Sequence, residues 1–317
     1  MLECLAQGCG KFLLESDDQF EYAQILMPEL PEVETIRRGL VQRVLKKKIR
    51  GVEIRAEKVV KNDPKEFIRT LTGNTFTKID RRGKLLILHL RGVKRAEKPR
   101  FLLIHMKLTG QLIYQQGETL VAGGHYAPSL AHPLPHRHTR VIFEFADGSR
   151  LFFNDLRKFG VLKIVDRAAR DLVLAAYGVE PLSREFTWER FQKALGRRQA
   201  PLKAVLLNQA LIAGLGNIYV DEVAWHARVS PSRRVARLTE TERKNLFRAI
   251  PKVLIEAIAW GGTTFRHFRN SQGKEGNYSD RLRAYGRSRK ACRRCGGVMV
   301  RTTVAQRGTT YCPRCQK

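Results

Sequence analysis

At 317 residues the chain has room for two domains, each with a core of its own. It is 43% hydrophobic and 28% charged, a globular balance, yet its formal net charge is +29 and its isoelectric point about 10.4. That asymmetry excludes the mixed-sign surface of a typical metabolic enzyme and points to a polyanion partner, with a ribosomal or RNA-binding role still open on charge alone.

The first 26 residues hold five acids and one lysine, so the segment carries −4 and the remaining chain +33. It is neither basic and apolar like a secretory signal nor Arg-rich like a transit peptide. Its composition breaks from the rest, which reads as a wrongly extended start or a dispensable tail, with a retained acidic arm as the alternative. Met27-Pro28-Glu29-Leu30-Pro31-Glu32-Val33-Glu34 follows. If Met27 is the true first residue, its removal leaves Pro28 with a secondary amine. An α-amino group titrates near pH ~8, so part of it is neutral and nucleophilic at physiological pH. Glu29 is placed to shuttle protons for it. The same residues also suit an ordinary helix start, where proline and acids are favoured.

Val33–Lys48 has apolar residues at helical spacing and predicts a helix. From Ile49 to about Val165 come short β-prone runs: Leu85–Leu90, Phe101–Met106, Gln111–Tyr114, Val141–Phe145, Leu151–Phe153 and Val161–Val165. Turn residues separate them, as an antiparallel sandwich requires. Gln116–His138 reads as a solvated loop, although His125, His132, His136 and His138 make a second metal site conceivable there. No membrane span is expected, because no run of about 18 apolar residues occurs. After about Asp166 the pattern is helical, at Trp188–Leu195, Pro201–Asn208, Val220–Ala227 and Thr239–Trp260. Thr239 and Glu242 form a capping box. Gly261–Tyr278 reads as a long loop. The fold class is therefore α+β. A β-sandwich with a leading helix spans 28–165, a hinge 166–186, a helical domain 187–284 and a finger 285–317.

Of six cysteines, Cys4 and Cys9 fall in the acidic segment. The others form Cys292-Arg-Arg-Cys295 and Cys312-Pro-Arg-Cys315, the spacing of a tetrahedral Cys4 zinc site. A pair of disulfides would need an oxidising compartment, for which there is no signal. Four sulfur ligands leave no open position, so the zinc is expected to be structural, one ion per chain.

The start at Pro28 resembles that of formamidopyrimidine-DNA glycosylases, bifunctional enzymes that excise oxidised purines and nick the abasic site. The resemblance continues in order through Arg81-Arg82-Gly83-Lys84, His105-Met106-Lys107-Leu108-Thr109-Gly110 and Arg157-Lys158-Phe159-Gly160. Gly214-Leu215-Gly216-Asn217-Ile218-Tyr219, Gly261-Gly262-Thr263-Thr264 and Ala305-Gln306-Arg307 before Tyr311-Cys312 complete it. It implies a helix–two-turn–helix domain, damaged double-stranded DNA as partner, a monomer in the bacterial cytoplasm near the nucleoid, and no membrane. By that resemblance Pro28 is the nucleophile, Glu29 the proton shuttle, and Glu32 orients the helix or the amine. Lys84 lies near the lesion and its phosphate, and Arg307 grips phosphates beside the lesion. Asn217 and Tyr219 touch phosphates, and His105 donates to one. Leu108, Arg157 and Phe159 fill the space of an extruded base. Leucine stands where the family has methionine, which keeps an apolar wedge but loses flexibility. Ser271–Gly276 falls where the family has a loop that closes over 8-oxoguanine. Two alternatives stay open: an endonuclease VIII-like enzyme for oxidised pyrimidines, and a non-catalytic, zinc-containing nucleic-acid-binding protein if residues 1–26 persist.

Overall fold

The structure, a computed structural model, describes residues 27–91, 99–124, 133–263 and 278–317. The chain divides into two compact units. The first is built on Glu32–Leu174, the second on Glu29–Pro31, Ala175–Thr263 and 278–317. The division runs through the first turn of helix α1 (Leu30–Val44).

In the first unit α1 buries Val33, Ile36, Leu40 and Val44, a stripe at helical spacing. It ends at Val44, short of the predicted Lys48, because Leu45 bridges to Phe76 and Lys46 turns to φ 64°. Among the described residues nine strands then form two antiparallel sheets. One has the order β1 (Ile49–Ile54), β7 (Thr139–Phe145), β8 (Arg150–Asp155), β5 (Gly110–Gln116), β6 (Thr119–Gly124). The other runs β2 (Thr75–Arg82), β3 (Leu85–Arg91), β4 (Arg100–His105), β9 (Val161–Val165). Their inner faces share one core: Phe76, Leu86, Leu88, Leu102 and Ile104 meet Leu112, Val141, Phe143, Leu151 and Phe153. Phe76 and Phe143 pack edge to face across it, centroids 6.4 Å apart.

Strands β1 and β2 lie in the β-prone region but outside the runs singled out there, and three further elements fall where none was expected. Strand β6 lies inside the predicted loop 116–138, paired to β5 through a turn at Gly117, φ 56°. Helix α2 (Pro64–Leu71) starts on an Asp63 cap with proline in its first turn. Helix α3 (Arg167–Ala175) lies in the predicted hinge, its first turn closed by Asp166, which accepts the N–H of Ala169.

The second unit holds α4 (Trp188–Leu195), α5 (Leu202–Leu207), α6 (Asn217–Ala227) and α7 (Glu240–Ala259), then a finger with β10 (Val300–Val304) and β11 (Arg307–Tyr311). Thr187 caps α4 and Gly196 ends it at φ 59°. The capping box of Thr239 and Glu242 opens α7. Phe186, Trp188 and Phe191 pack against Phe247 of α7. The finger hairpin turns on Ala305 and Gln306, both at positive φ, as a two-residue turn of type I′ demands. No helix among the described residues is long and apolar enough to cross a membrane.

Candidate active site

The second unit assembles one cluster around the start of α6. The turn between α5 and α6 is stapled by Gln209, whose amide donates to Leu207 O and Leu215 O while its carbonyl accepts the N–H of Gly214. Gly214 sits at φ 96°, and a Cβ there would lie 2.5 Å from Leu30 Cδ1, so only glycine lets the segment after Pro28 approach. Leu30 N–H donates to Gly214 O at 3.1 Å. Glu29, 3% exposed, then reaches the first turn of α6: Oε1 accepts the N–H of Ile218 at 2.9 Å and Oε2 that of Tyr219 at 3.4 Å. A carboxylate on these N–H groups is favoured by the positive end of the helix dipole. Pro28 beside it is buried.

One turn further along α6, Asp221 pairs with Lys203 of α5 at 2.7 Å, both almost fully buried. Lys203 also donates to Gly308 O at 3.0 Å, and Asp221 accepts the N–H of Thr310 at 2.9 Å. Asn217 donates to the same Gly308 O at 3.1 Å. Strand β11 is thus fastened to α5 and α6, and Arg307 at its start stays exposed. Burial pushes the Lys203 amine down and the Asp221 carboxyl up, and their pairing opposes both shifts. Tyr219 is fully buried with its ring 6.1 Å from that of Tyr278. Glu222 accepts three backbone N–H groups, from Arg283, Ala284 and Tyr285, which anchors that segment to α6.

In the finger the four cysteine sulfurs lie within 4.8 Å of one another and form no disulfide. Cys292 and Cys315 are 3.9 Å apart, Cys295 and Cys312 3.6 Å. A Zn–S bond of about 2.3 Å in a tetrahedron puts ligand sulfurs about 3.8 Å apart, so the set fits one structural zinc. Trp225 donates its indole N–H to Cys292 Sγ, and Gln316 accepts the N–H of Cys312, an outer shell that orients the ligands.

The first unit carries a separate set. Lys84 is largely buried in the turn after β2, where Gly83 takes φ 55°. Arg81 holds that turn, donating to Gly83 O at 2.9 Å and to Glu34 at 3.1 Å. Burial works against the Glu34 carboxylate, but Arg37, Arg38 and Arg81 outweigh it and hold its pKa at about 2. His105 ends β4, and its Nδ1 accepts the N–H of Lys107 at 3.0 Å. The ring proton therefore sits on Nε2, which makes Nε2 the donor. Burial, then Lys107 and Lys84, keep this ring neutral down to a pKa of about 3.

Two loops of this unit are tied together by Asp155, which is fully buried. Its Oδ1 accepts from the Thr109 hydroxyl and from Arg157 N–H at 3.1 Å, and Oδ2 accepts Gly160 N–H at 2.6 Å. Thr109 follows Leu108, and the other loop carries Arg157 and Phe159. The Arg157 guanidinium lies 4.7 Å from the centre of the Phe159 ring, and Phe159 is 42% exposed. An exposed phenylalanine paired with an exposed arginine is a contact surface rather than core.

The sequence reading passed over Lys203, Asp221, Glu222, Glu34 and Asp155. A signal existed for four of them. Lys203 sits in the run Pro-Leu-Lys-Ala-Val-Leu-Leu, and Asp221-Glu222 in Ile-Tyr-Val-Asp-Glu-Val-Ala-Trp. Charges inside apolar runs must find partners on folding. Asp155 stands just ahead of Arg157–Gly160, where a carboxylate can accept from the backbone that follows. Of the histidine-rich loop, His136 accepts the N–H of His138 and His138 accepts from Arg137. Among the described residues only the four cysteines form a group able to hold a metal. His125, His132 and Ser271–Gly276 lie outside the described residues.

A buried acid capping a helix, a basic finger fastened to that helix, and a sandwich presenting Arg157 and Phe159 define a zinc-containing DNA-repair enzyme of the helix–two-turn–helix class. Comparison with known proteins agrees. The profile of the formamidopyrimidine-DNA glycosylase N-terminal domain matches residues 27–162, that of its H2TH domain 177–269, and a zinc finger found in FPG and IleRS 289–317. Formamidopyrimidine-DNA glycosylase of Pelotomaculum thermopropionicum is 40% identical over 294 residues, 92% of this chain and 99% of that protein. That of Ligilactobacillus salivarius is 39% identical over 292 residues, again 92% and 99%. Among solved structures, a Lactococcus lactis FPG variant bound to Fapy-dG DNA superposes with a TM-score of 0.78 at 32% identity, covering 92% of this chain and 100% of that one. The Lactococcus lactis Fpg complex with abasic-site DNA gives 0.77 at 32%, covering 91% and 99%. The chain belongs to the formamidopyrimidine-DNA glycosylase family. The endonuclease VIII-like reading gives way to it.

Proposed function

We propose that the form of this chain starting at Pro28 removes oxidised purines, formamidopyrimidines and 8-oxoguanine, from duplex DNA and then cuts the strand. It acts as a monomer in the bacterial cytoplasm. The observation that carries the reading is the capping of α6 by Glu29, which holds an acid beside Pro28 at the N-terminal end of a helix. Solved relatives bound to Fapy-dG and abasic-site DNA support the substrate class.

The Pro28 nitrogen attacks C1′ of the damaged nucleotide, and the bond from C1′ to the base breaks. Ring opening breaks C1′–O4′, leaves an iminium between Pro28 and the sugar, and puts a proton on O4′. Glu29 gives and takes the protons. Loss of a C2′ proton expels the 3′ phosphate, and a second elimination expels the 5′ phosphate. Extruding the nucleotide costs a few kcal/mol of stacking and pairing. Leu108 and Phe159 fill the gap, and Arg157 bonds the orphaned base. Lys84, His105, Asn217 and Arg307 hold phosphates, the last two from a helix and a strand joined at Gly308 O. For Tyr219, the buried ring leaves its N–H bond to Glu29 as the contribution. Glu32, fully buried, orients the helix.

Borohydride trapping on an 8-oxoguanine duplex tests the reading. The Pro28-start protein is expected to form the adduct, and Pro28→Gly to form far less. The chain with residues 1–27 attached is expected to be inert, because an acylated nitrogen has no free lone pair. Equal trapping by all three would remove Pro28 from the mechanism. Cleavage of thymine-glycol duplex in preference to 8-oxoguanine duplex would overturn the substrate class.

A further inference from the structure

Helices α6 and α7 carry a second group of cations, at the end of α6 away from Asn217. A cavity of about 390 Å³ opens there, walled by His226, Arg228, Asn245, Arg248 and Lys252. Helix α6 has 11 residues, about 16 Å at 1.5 Å per residue, so this cavity is well removed from the N-terminal turn of α6 that Glu29 caps.

Among the described residues Arg228, Arg248 and Lys252 make no side-chain hydrogen bond and no ion pair. Three of the acids on α6 and α7 are engaged elsewhere, and Glu256, four residues after Lys252, makes no ion pair with it among the described residues. Glu222 is held by three backbone N–H groups, Glu240 pairs with Lys244, and Glu242 pairs with Arg233. The fourth wall is His226, whose Nε2 is buried without a partner. Burial, then Lys252, Arg283 and Arg294, press its pKa down to about 4, so the ring is neutral at physiological pH. The C-terminal carbonyls of α6 disfavour an anion here, but three unanswered cations oppose them. Cations without counter-charges around an unsatisfied polar atom form a receptor for an oxyanion, to which Asn245 can add its amide N–H.

We propose that this cavity is a second nucleic-acid site, binding a backbone phosphate of a DNA segment other than the one under repair. A polyanion fits because its lining brings together cations from two elements, Arg228 at the end of α6 and Arg248 and Lys252 one turn apart on α7. The assignment rests on the reading that the protein works on DNA. Its consequence is that the enzyme can hold two segments at once and pass between them.

The zinc-loaded chain is saturated with a duplex bearing a reduced abasic analogue, then titrated with a fluorescent undamaged duplex while salt is varied. A second equivalent is expected to bind weakly. Arg248→Ala with Lys252→Ala is expected to weaken this second binding several-fold and to lower its log–log salt slope by about two, one unit per lost phosphate contact. Affinity for the first duplex is expected to stay the same. A nearby phosphate favours the protonated imidazole, so the NMR titration midpoint of His226 is expected to rise from about 4 when the second duplex binds, and not with the first alone. Absence of a second equivalent at low salt would overturn the proposal, as would second binding indifferent to the double substitution. Inorganic pyrophosphate moving the His226 midpoint while the duplex does not would overturn the nucleic-acid assignment. Excision of 8-oxoguanine from a short duplex by the Pro28-start form is measured separately. Its failure with second-duplex binding intact would count against the catalytic reading and not against this one.

Discussion

The Glu29 carboxylate accepts the N–H of Ile218 at 2.9 Å, so an acid near Met27 caps a helix that begins 188 residues later in the chain, at Asn217. Glutamine at position 29 keeps the shape and loses the charge. The lost interaction with the helix end is worth roughly 0.3–1 kcal/mol, up to ~2 in buried geometry. Glu29→Gln is expected to lower Tm by about 2–4 °C per kcal/mol lost, and to slow base release much more than it weakens binding to an abasic-site duplex. Unchanged excision in a single-turnover assay would sever Glu29 from the chemistry.

The buried pair Lys203–Asp221 gives a prediction of another kind. Removing one partner leaves a buried charge alone, at a cost of about 3–5 kcal/mol. Lys203→Met should therefore destabilise the second unit strongly, and Asp221→Leu added to it should restore part of the loss. Urea unfolding of both single variants and the double variant measures this coupling. Additive effects would mean the two side chains are independent.

Asp155 joins the loop of Leu108 to the loop of Arg157 and Phe159. In Asp155→Asn an amide NH2 replaces one of the two accepting oxygens and faces the N–H of either Arg157 or Gly160, which costs about 1–3 kcal/mol for the donor left unsatisfied. The variant is expected to lose discrimination between damaged and undamaged duplexes, and Thr109→Val to lose less. Competition binding decides it. An unaltered ratio with lowered stability would make Asp155 purely structural.

Cys295→Ser is expected to lose zinc and DNA affinity together, because the finger folds around its ion. Arg307→Ala should keep the metal, lower the log–log salt slope by about one, and weaken damaged and undamaged duplexes by similar factors. Metal analysis paired with anisotropy titrations separates the two effects. Normal binding by a zinc-free protein would contradict the role of the finger.

Glu34 should make the first unit acid-sensitive. Its carboxyl titrates at about 2 in the fold against an ordinary 4.5. Between those values the unfolded chain binds the extra proton, so stability is full above about pH 4.5 and is lost as pH falls towards 2. Glu34→Gln should flatten that part of the acid-unfolding curve. A curve with the same shape in both proteins would show that Arg37, Arg38 and Arg81 do not set it.

Much of this was legible before folding was considered. The Cys4 spacing, the stripe of Val33, Ile36 and Leu40, the strand runs, the Thr239–Glu242 box and the basic charge are local patterns, set by neighbours in the chain. The motif order from Pro28 to Arg307 was equally local. Helix α3 and strand β6 were among the elements missed. One relies on a single Asp166 cap, and the other on a hairpin whose partner strand supplies the hydrogen bonds.

The sequence by itself determined which residues could do chemistry: a proline that carries an amine if the chain starts there, with a neighbouring acid, four sulfurs at ligand spacing, and arginine, lysine and histidine on turns. It could not determine what those residues face. Only the tertiary structure put Glu29 on the N–H groups of Ile218 and Tyr219, paired Lys203 with Asp221, and bound Thr109 to Arg157 through Asp155. The physical reason is the same each time. A buried charge or hydrogen-bonding group is stable only with its partner in place, and for Lys203–Asp221, Thr109–Asp155 and Glu29–Tyr219 that partner lies 18, 46 and 190 residues away, where packing alone can deliver it.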